Sequence, residues 1–206
     1  MQQITINCHS SICIGGDVYI DPFKIQDNRH NAKCIFITHS HFDHLDVESI
    51  NKLSTNDTLI IATSDSIKIL QEAGFVDENL RTVAPYDSGI TYDVKYTTFP
   101  AYNINKKFHP KENGWVGYTL TINGLSYTIC GDSDKTPELE NIKTDILLVP
   151  VGGTYTMNAQ EAATLTNIIK PQLVIPTHYG SVVGTANDGK IFCDNVSNVQ
   201  TKILIK

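Results

Sequence analysis

The chain of 206 residues repeats one order of elements: in each half, short apolar and β-branched runs come first and helical patterns come later. In the first half Ile4 to Asn7, Ser11 to Ile14 and Val18 to Ile20 read as antiparallel strands, with Gly15-Gly16-Asp17 as a hairpin turn. The apolar run Lys33 to Thr38 follows. Next come a helix through Val47, Ile50 and Leu53 behind Asp46 as N-cap, a strand Thr58 to Ala62, and a helix Ser64 to Ala73 closed by Gly74. The second half gives strands Tyr92 to Phe99, Trp115 to Ile122 and Ser126 to Cys130, the last two joined by Asn123-Gly124. The run Asp145 to Val151, a helix Asn158 to Ile169 and a strand Leu173 to Pro176 complete it, with a turn at Asn187-Asp188-Gly189 before a last strand Gln200 to Ile205. Strands first and helices later, twice, predict two packed sheets with helices outside, a four-layer αββα sandwich of mixed α/β (α+β) class. The length suits one core, so residues 1–206 are expected to form a single domain.

At the end of the run Lys33 to Thr38 the chain reads His39-Ser40-His41-Phe42-Asp43-His44. A loop leaving a buried strand is where a rigid scaffold holds functional groups. Packing has no use for three imidazoles and a carboxylate in six residues. Side chains at alternate positions of an extended segment point the same way, so His39 and His41 can share one cation while Asp43 and His44 turn toward a second. Imidazole with carboxylate suits zinc, and also iron or manganese.

With these residues the chain resembles the metallo-β-lactamase superfamily, whose signature is H-x-H-x-D-H. Gly131-Asp132-Ser133-Asp134 after a strand matches the family's G-D-[ST] element, and Pro176-Thr177-His178-Tyr179-Gly180 is similar to its last histidine element. His9-Ser10-Ser11, Tyr19-Ile20-Asp21-Pro22 and the stretch Pro150 to Met157 resemble the branch containing ascorbate-phosphate lactonase and N-acylphosphatidylethanolamine phospholipase D. The resemblance implies the metallo-β-lactamase fold and two divalent metal ions. One would be held by His39 and His41, the other by Asp43, His44 and His178, with Asp132 bridging. It also implies a third histidine at the first site, but the matching stretch reads Pro100-Ala101-Tyr102-Asn103. Asn103 stands where that histidine is expected, and an asparagine carbonyl is a weaker ligand for zinc.

Seven histidines leave three outside this set, His9, His30 and His109. His109 can fold back from the loop Asn105 to Gly114, His9 lies at the start of the first hairpin, and otherwise the place falls to Asn103 or water. His30, among Asn28, Arg29 and Asn31, reads as a surface residue. Asp21 before Pro22 is either a hydrogen-bond partner of a ligand histidine or a simple turn aspartate. Trp115, Tyr118, Tyr155 and Met157 are pocket or core residues, and burial statistics favour the core.

Two adjacent dications lower the pKa of water to around 7 from about 15.7, which makes a metal-bridging hydroxide the expected nucleophile, oriented by Asp43. No G-x-S-x-G elbow competes with it. Esters, lactones and phosphodiesters all fit that chemistry, so the expected enzyme is a metal-dependent hydrolase of a small molecule. A binding or regulatory protein that keeps the scaffold is the alternative that Asn103 suggests, and a nuclease of the same fold is another. A formal net charge of −6 disfavours nucleic acid as a partner. Five scattered cysteines without a C-x-x-C pair read as reduced thiols. No run approaches the roughly 20 apolar residues of a membrane span, and residues 1–5 lack a basic or long apolar start, so the expected location is the cytoplasm.

Overall fold

The computed structural model describes residues 2–205 and divides the chain into two compact units, one through Ala84 and the other from Pro85. In the first unit a six-stranded sheet has the order β1 (Ile4–Ile6), β2 (Ile12–Ile14), β3 (Val18–Ile20), β4 (Cys34–Phe36), β5 (Leu59–Thr63) and β6 (Leu80–Val83). The β1-β2-β3 meander is antiparallel, as the three apolar runs around Gly15-Gly16-Asp17 predict, and β3 to β6 run parallel. The reason is in the connections: α1 (Val47–Leu53) bridges β4 to β5 and α2 (Ser64–Glu72) lies between β5 and β6, and crossovers of that length return a strand parallel. Strands β2, β3 and β4 are buried at every residue; for β4, parallel to both neighbours, that is the burial a strand covered on both faces requires. Ile35, Ile37, Ile50, Leu53, Ile60 and Leu70 form the centre of this unit's core.

The second unit holds a seven-stranded sheet in the order β13-β12-β11-β10-β9-β8-β7, built from β7 (Ser88–Thr91), β8 (Val94–Pro100), β9 (Val116–Ile122), β10 (Leu125–Ile129), β11 (Ile146–Pro150), β12 (Leu173–Thr177) and β13 (Gln200–Thr201). Strands β7 to β10 are antiparallel and β10 to β13 parallel. Asn123 and Gly124 both take positive φ, the conformation a two-residue hairpin needs, and pair Ile122 with Leu125. Among the described residues this unit carries the α-helices α3 (Pro137–Glu140), α4 (Ala159–Ile169) and α5 (Asp188–Asn195). Helix α4 opens with a capping box, in which Asn158 accepts from the Glu161 N–H and Glu161 accepts from the Asn158 N–H, each at 2.9 Å. Leu147, Val149, Leu165, Val174 and Phe192 anchor the core.

Several expectations change in detail. Tyr92 to Phe99 becomes β8 from Val94 onward, because Tyr92 turns with positive φ between β7 and β8. Asn187-Asp188-Gly189 opens α5 where a turn was expected, and β13 keeps two residues of Gln200 to Ile205. Asp46 occupies the N-cap of α1, yet its carboxylate accepts from Ser49 Oγ and the Lys24 N–H in place of the helix backbone. Trp115, Tyr118 and Met157 are core residues, whereas Tyr155 is half-buried. All five cysteines are free, and burial pushes the thiols of Cys13 and Cys130 up. Among the described residues no helix is long and apolar enough to cross a membrane.

Topology places every candidate residue. In the first unit β1, β3 and β4 point the same way, so the turns after them, carrying His9, Asp21 and His39 to His44, leave one sheet edge. In the second, β8, β10 and β12 share a direction, and Asn103 with His109, Asp132 and His178 follow their ends. Loops beyond the carboxyl ends of strands are the usual seat of ligands in open α/β sheets.

Candidate metal centre

The first half-set is built on Asp21. This carboxylate is fully buried and takes three donors: the Thr38 N–H at 2.8 Å, Thr38 Oγ1 at 2.7 Å and His44 Nδ1 at 2.7 Å. Burial pushes the Asp21 carboxyl up from its ordinary range, while His44 and the Thr38 donors pull it down. Because His44 gives its Nδ1 proton to Asp21, the lone pair of the neutral ring is on Nε2, on the side of Asp43 Oδ2 at 3.8 Å. Thr38 relays the same order to the next ring. Its hydroxyl proton is committed to Asp21, so His39 Nδ1, 2.9 Å away, donates to Oγ1 and leaves its own lone pair on Nε2.

His39 Nε2 lies 3.1 Å from His41 Nδ1. The alternating spacing therefore brings those two rings together as expected. The loop that carries them is pinned by the Ser40 hydroxyl, which donates to Asp65 of α2 at 2.6 Å, and by a turn in which His44 and Leu45 N–H both donate to the His41 carbonyl. His9 faces Asp43, its Nε2 3.0 Å from Oδ2, and not the His39–His41 pair. His9 and Asp21 have φ of 54° and 45°, in the left-handed region that non-glycine residues seldom enter. His30 is exposed and bonds the Ser54 carbonyl.

The second half-set converges on one oxygen. Asp132 Oδ2 lies 3.3 Å from His109 Nε2 and 3.0 Å from His178 Nε2, with all three side chains buried. Asp132 leaves β10 through Gly131 at positive φ. His178 is the first residue after β12, with φ of 58°, and its carbonyl comes so close to Gly152 that a Cβ there would sit 2.2 Å from it. Only glycine at 152 lets that turn close. Of the residues proposed to fill the vacant histidine position, His109 is the one that faces Asp132. Asn103, also buried, holds it: its Oδ1 accepts from the His109 N–H at 3.2 Å and lies 3.1 Å from His109 Nδ1.

The loop from β8 to β9 that carries both residues is fastened in ways the sequence reading did not anticipate. Asp134 Oδ2 accepts from the Ile104 N–H at 2.9 Å and Oδ1 pairs with Lys106, while Glu138 of α3 binds Tyr102 at 2.9 Å and Lys111 at 2.7 Å. Asp134 was visible inside Gly131-Asp132-Ser133-Asp134; Glu138 carried no signal. Close to the candidate ligands, Phe42 is 67% exposed against the edge of Phe23, and exposed Phe108 meets Tyr155 edge-on at 4.6 Å.

The donor set fits transition-metal ions. In the neutral form assigned above, His39 Nε2 brings a lone pair against another imidazole nitrogen, and Asp132 sets one carboxylate oxygen against two. Such groupings of acceptors need protons or cations among them.

The match to known proteins agrees. A family described as a beta-lactamase superfamily domain matches residues 3–178. The chain belongs to this superfamily. A solved structure from Parabacteroides distasonis superposes with a TM-score of 0.79 at 30% identity, covering 98% of this chain and 93% of the other. The UPF0173 metal-dependent hydrolase of Lysinibacillus sphaericus is 26% identical over 98% of this chain and 96% of its own. Igni18, a metallo hydrolase from Ignicoccus hospitalis, shares the fold with a TM-score of 0.78 at 19% identity, covering 98% and 94%. The superfamily match runs across both compact units, so the fold is the metallo-β-lactamase fold that the motifs imply.

Proposed function

We propose that the chain is a metal-dependent hydrolase of a small ester, lactone or phosphodiester, with two divalent ions, zinc by preference of the donor set, held by His39, His41, Asp43, His44, Asp132 and His178 and completed by His109. The observation that carries this reading is the buried Asp132 oxygen facing two imidazole nitrogens at 3.3 and 3.0 Å. Relatives with metal-dependent hydrolase in their names support it. The family match over residues 3–178 supports treating residues 1–206 as one hydrolase domain.

When bound, the ions would supply Lewis acidity, bringing the pKa of water toward neutrality and polarising a carbonyl or phosphoryl oxygen. The residues do the rest. Asp21, through Thr38 and His44, fixes the tautomers of His39 and His44, so that both rings offer Nε2. Asp43, held by His9, orients the attacking water and accepts its proton. Phe42 and the Phe108–Tyr155 pair offer apolar surface to a substrate's organic group. The gap at Asn103 that motivates a binding protein without turnover is filled in this reading by His109.

The test is elemental analysis of protein purified without added metal, followed by assay against generic esters, lactones and phosphodiesters. Transition metal in the preparation, hydrolysis lost on chelation and its return on metal addition are expected. Hydrolysis that survives exhaustive chelation overturns the reading.

A further inference from the structure

We propose that Asn103 is a positioning residue that acts through His109, taking its Nδ1 proton so that Nε2 carries the lone pair turned to Asp132. The inference rests on the metal-centre reading above and adds a role that the superfamily motifs do not assign.

Chemistry fixes the orientation of the Asn103 amide. One end of the side chain meets the His109 N–H at 3.2 Å and His109 Nδ1 at 3.1 Å; the other lies 2.9 Å from the Tyr155 carbonyl. With oxygen toward His109 all three contacts are donor to acceptor. Reversed, an NH2 would face a backbone N–H and a carbonyl would face a carbonyl. A carbonyl oxygen has two lone pairs, and both are then engaged by His109. Asn103 has none left for a cation, so it is not the missing ligand. It also does not act as a loose neighbour: its own N–H donates to the His109 carbonyl at 2.7 Å, closing a ring across the intervening residues. Both side chains are buried, where water does not compete for these bonds.

With Nδ1 protonated toward Asn103, His109 sets its Nε2 lone pair 3.3 Å from Asp132 Oδ2. Two acceptors at that distance repel unless a proton or cation is shared between them. Asp21 does the same for His44 in the other unit, with a carboxylate in place of an amide. A histidine in the superfamily position is thus exchanged for a pair, one residue to bind and one to aim.

Two measurements test this. In full-length protein stripped of metal, long-range nitrogen-15 NMR of the histidine ring should report His109 as the Nδ1–H tautomer, and Asn103→Leu should shift it toward Nε2–H. Finding the Nε2–H tautomer in the parent overturns the proposal. Cobalt(II) titrated into stripped protein should then show one step weakened ~10–100-fold by Asn103→Leu, the range for removing a ligand's hydrogen-bond partner, and retained by Asn103→Asp. In a His109→Ala background Asn103→Leu should cost nothing further; losses that add there would mean Asn103 holds the ion itself, which also overturns it. Should Asn103→Leu not fold, the parent tautomer and Asn103→Asp still decide. A parent that binds no cobalt sinks the metal reading, and the tautomer separately decides Asn103.

Discussion

In the first unit the candidate ligands His39, His41, Asp43 and His44 come from one loop, and the buried Asp21 beneath them takes three donors from Thr38 and His44. In the second unit Asp132, His178 and His109 come from three separate loops, and each is secured by its own means: Gly131 at positive φ, the close approach at Gly152, and the Asn103 clasp. A half-set with one hub fails as a unit when the hub is lost. A half-set assembled from separate loops should fail one ligand at a time, except at the atom the loops share.

That exception gives the largest expected effect. Asp132 Oδ2 faces both His109 and His178, so Asp132→Ala should strip more metal than His39→Ala, leaving less than the full complement of either ion, with activity falling in parallel. Elemental analysis of the two variants, purified alongside the parent, checks it. If Asp132→Ala keeps two ions per chain, the shared-oxygen reading is wrong.

The hub comes next. Asp21→Ala leaves the Thr38 N–H, the Thr38 hydroxyl and His44 Nδ1 without their acceptor, and a buried donor left so costs about 1–3 kcal/mol. Relaxation lets some of these donors find other partners, so a total loss of about 3 kcal/mol is expected, read as a lowered urea midpoint at unchanged slope. Metal affinity should fall with it. Parent-like stability in Asp21→Ala would mean that the loop is held by its own turn and by Ser40, and that the contrast between the units is one of sequence spacing alone.

How far the sequence could be read follows the same contrast. H-x-H-x-D-H is legible because four chemical groups and their spacing sit in one window, and the apolar run before them announces the strand that carries them. Asp132 and His178 are legible only by resemblance, since nothing local in Gly-Asp-Ser or Thr-His-Tyr says that sheet order will bring them together. Asp21 could not be told from a turn residue, because its partners are Thr38 and His44, more than fifteen positions away. The missed β6, β7, α3 and α5 are short elements whose burial alternates weakly or belongs to tertiary packing. The parallel order of β3 to β6 was hidden because periodicity reports which face is buried and not strand direction.

The smallest effect concerns the outer fastening of the His109 loop, whose counterpart in the first unit is the Ser40–Asp65 bond. Glu138 accepts from Lys111 at 2.7 Å and from Tyr102 at 2.9 Å, and Lys111 also lies over the Tyr102 ring at 4.5 Å. Partial burial pushes the Glu138 carboxyl up, but the Lys111 and Tyr102 hydrogen bonds and the Lys111 charge outweigh it and bring it from 4.5 to about 2. A carboxyl depressed in the folded chain stabilises above its unfolded pKa, and that contribution is lost as pH falls through the folded value. The window here runs from about 4.5 down to about 2. Half-exposed Lys111 is screened by water, so the contribution should be small. Glu138→Gln keeps the shape and removes the charge. The parent should therefore be slightly more stable than Glu138→Gln near neutrality, and the gap in urea midpoint should narrow as the buffer is taken down to about pH 3, with both stripped of metal. Equal midpoints throughout would show that Asp134 and the Asn103 clasp hold the loop without Glu138. A gap that widens toward acid would have the wrong sign for a depressed carboxyl, and would remove Glu138 from the account of how His109 is held.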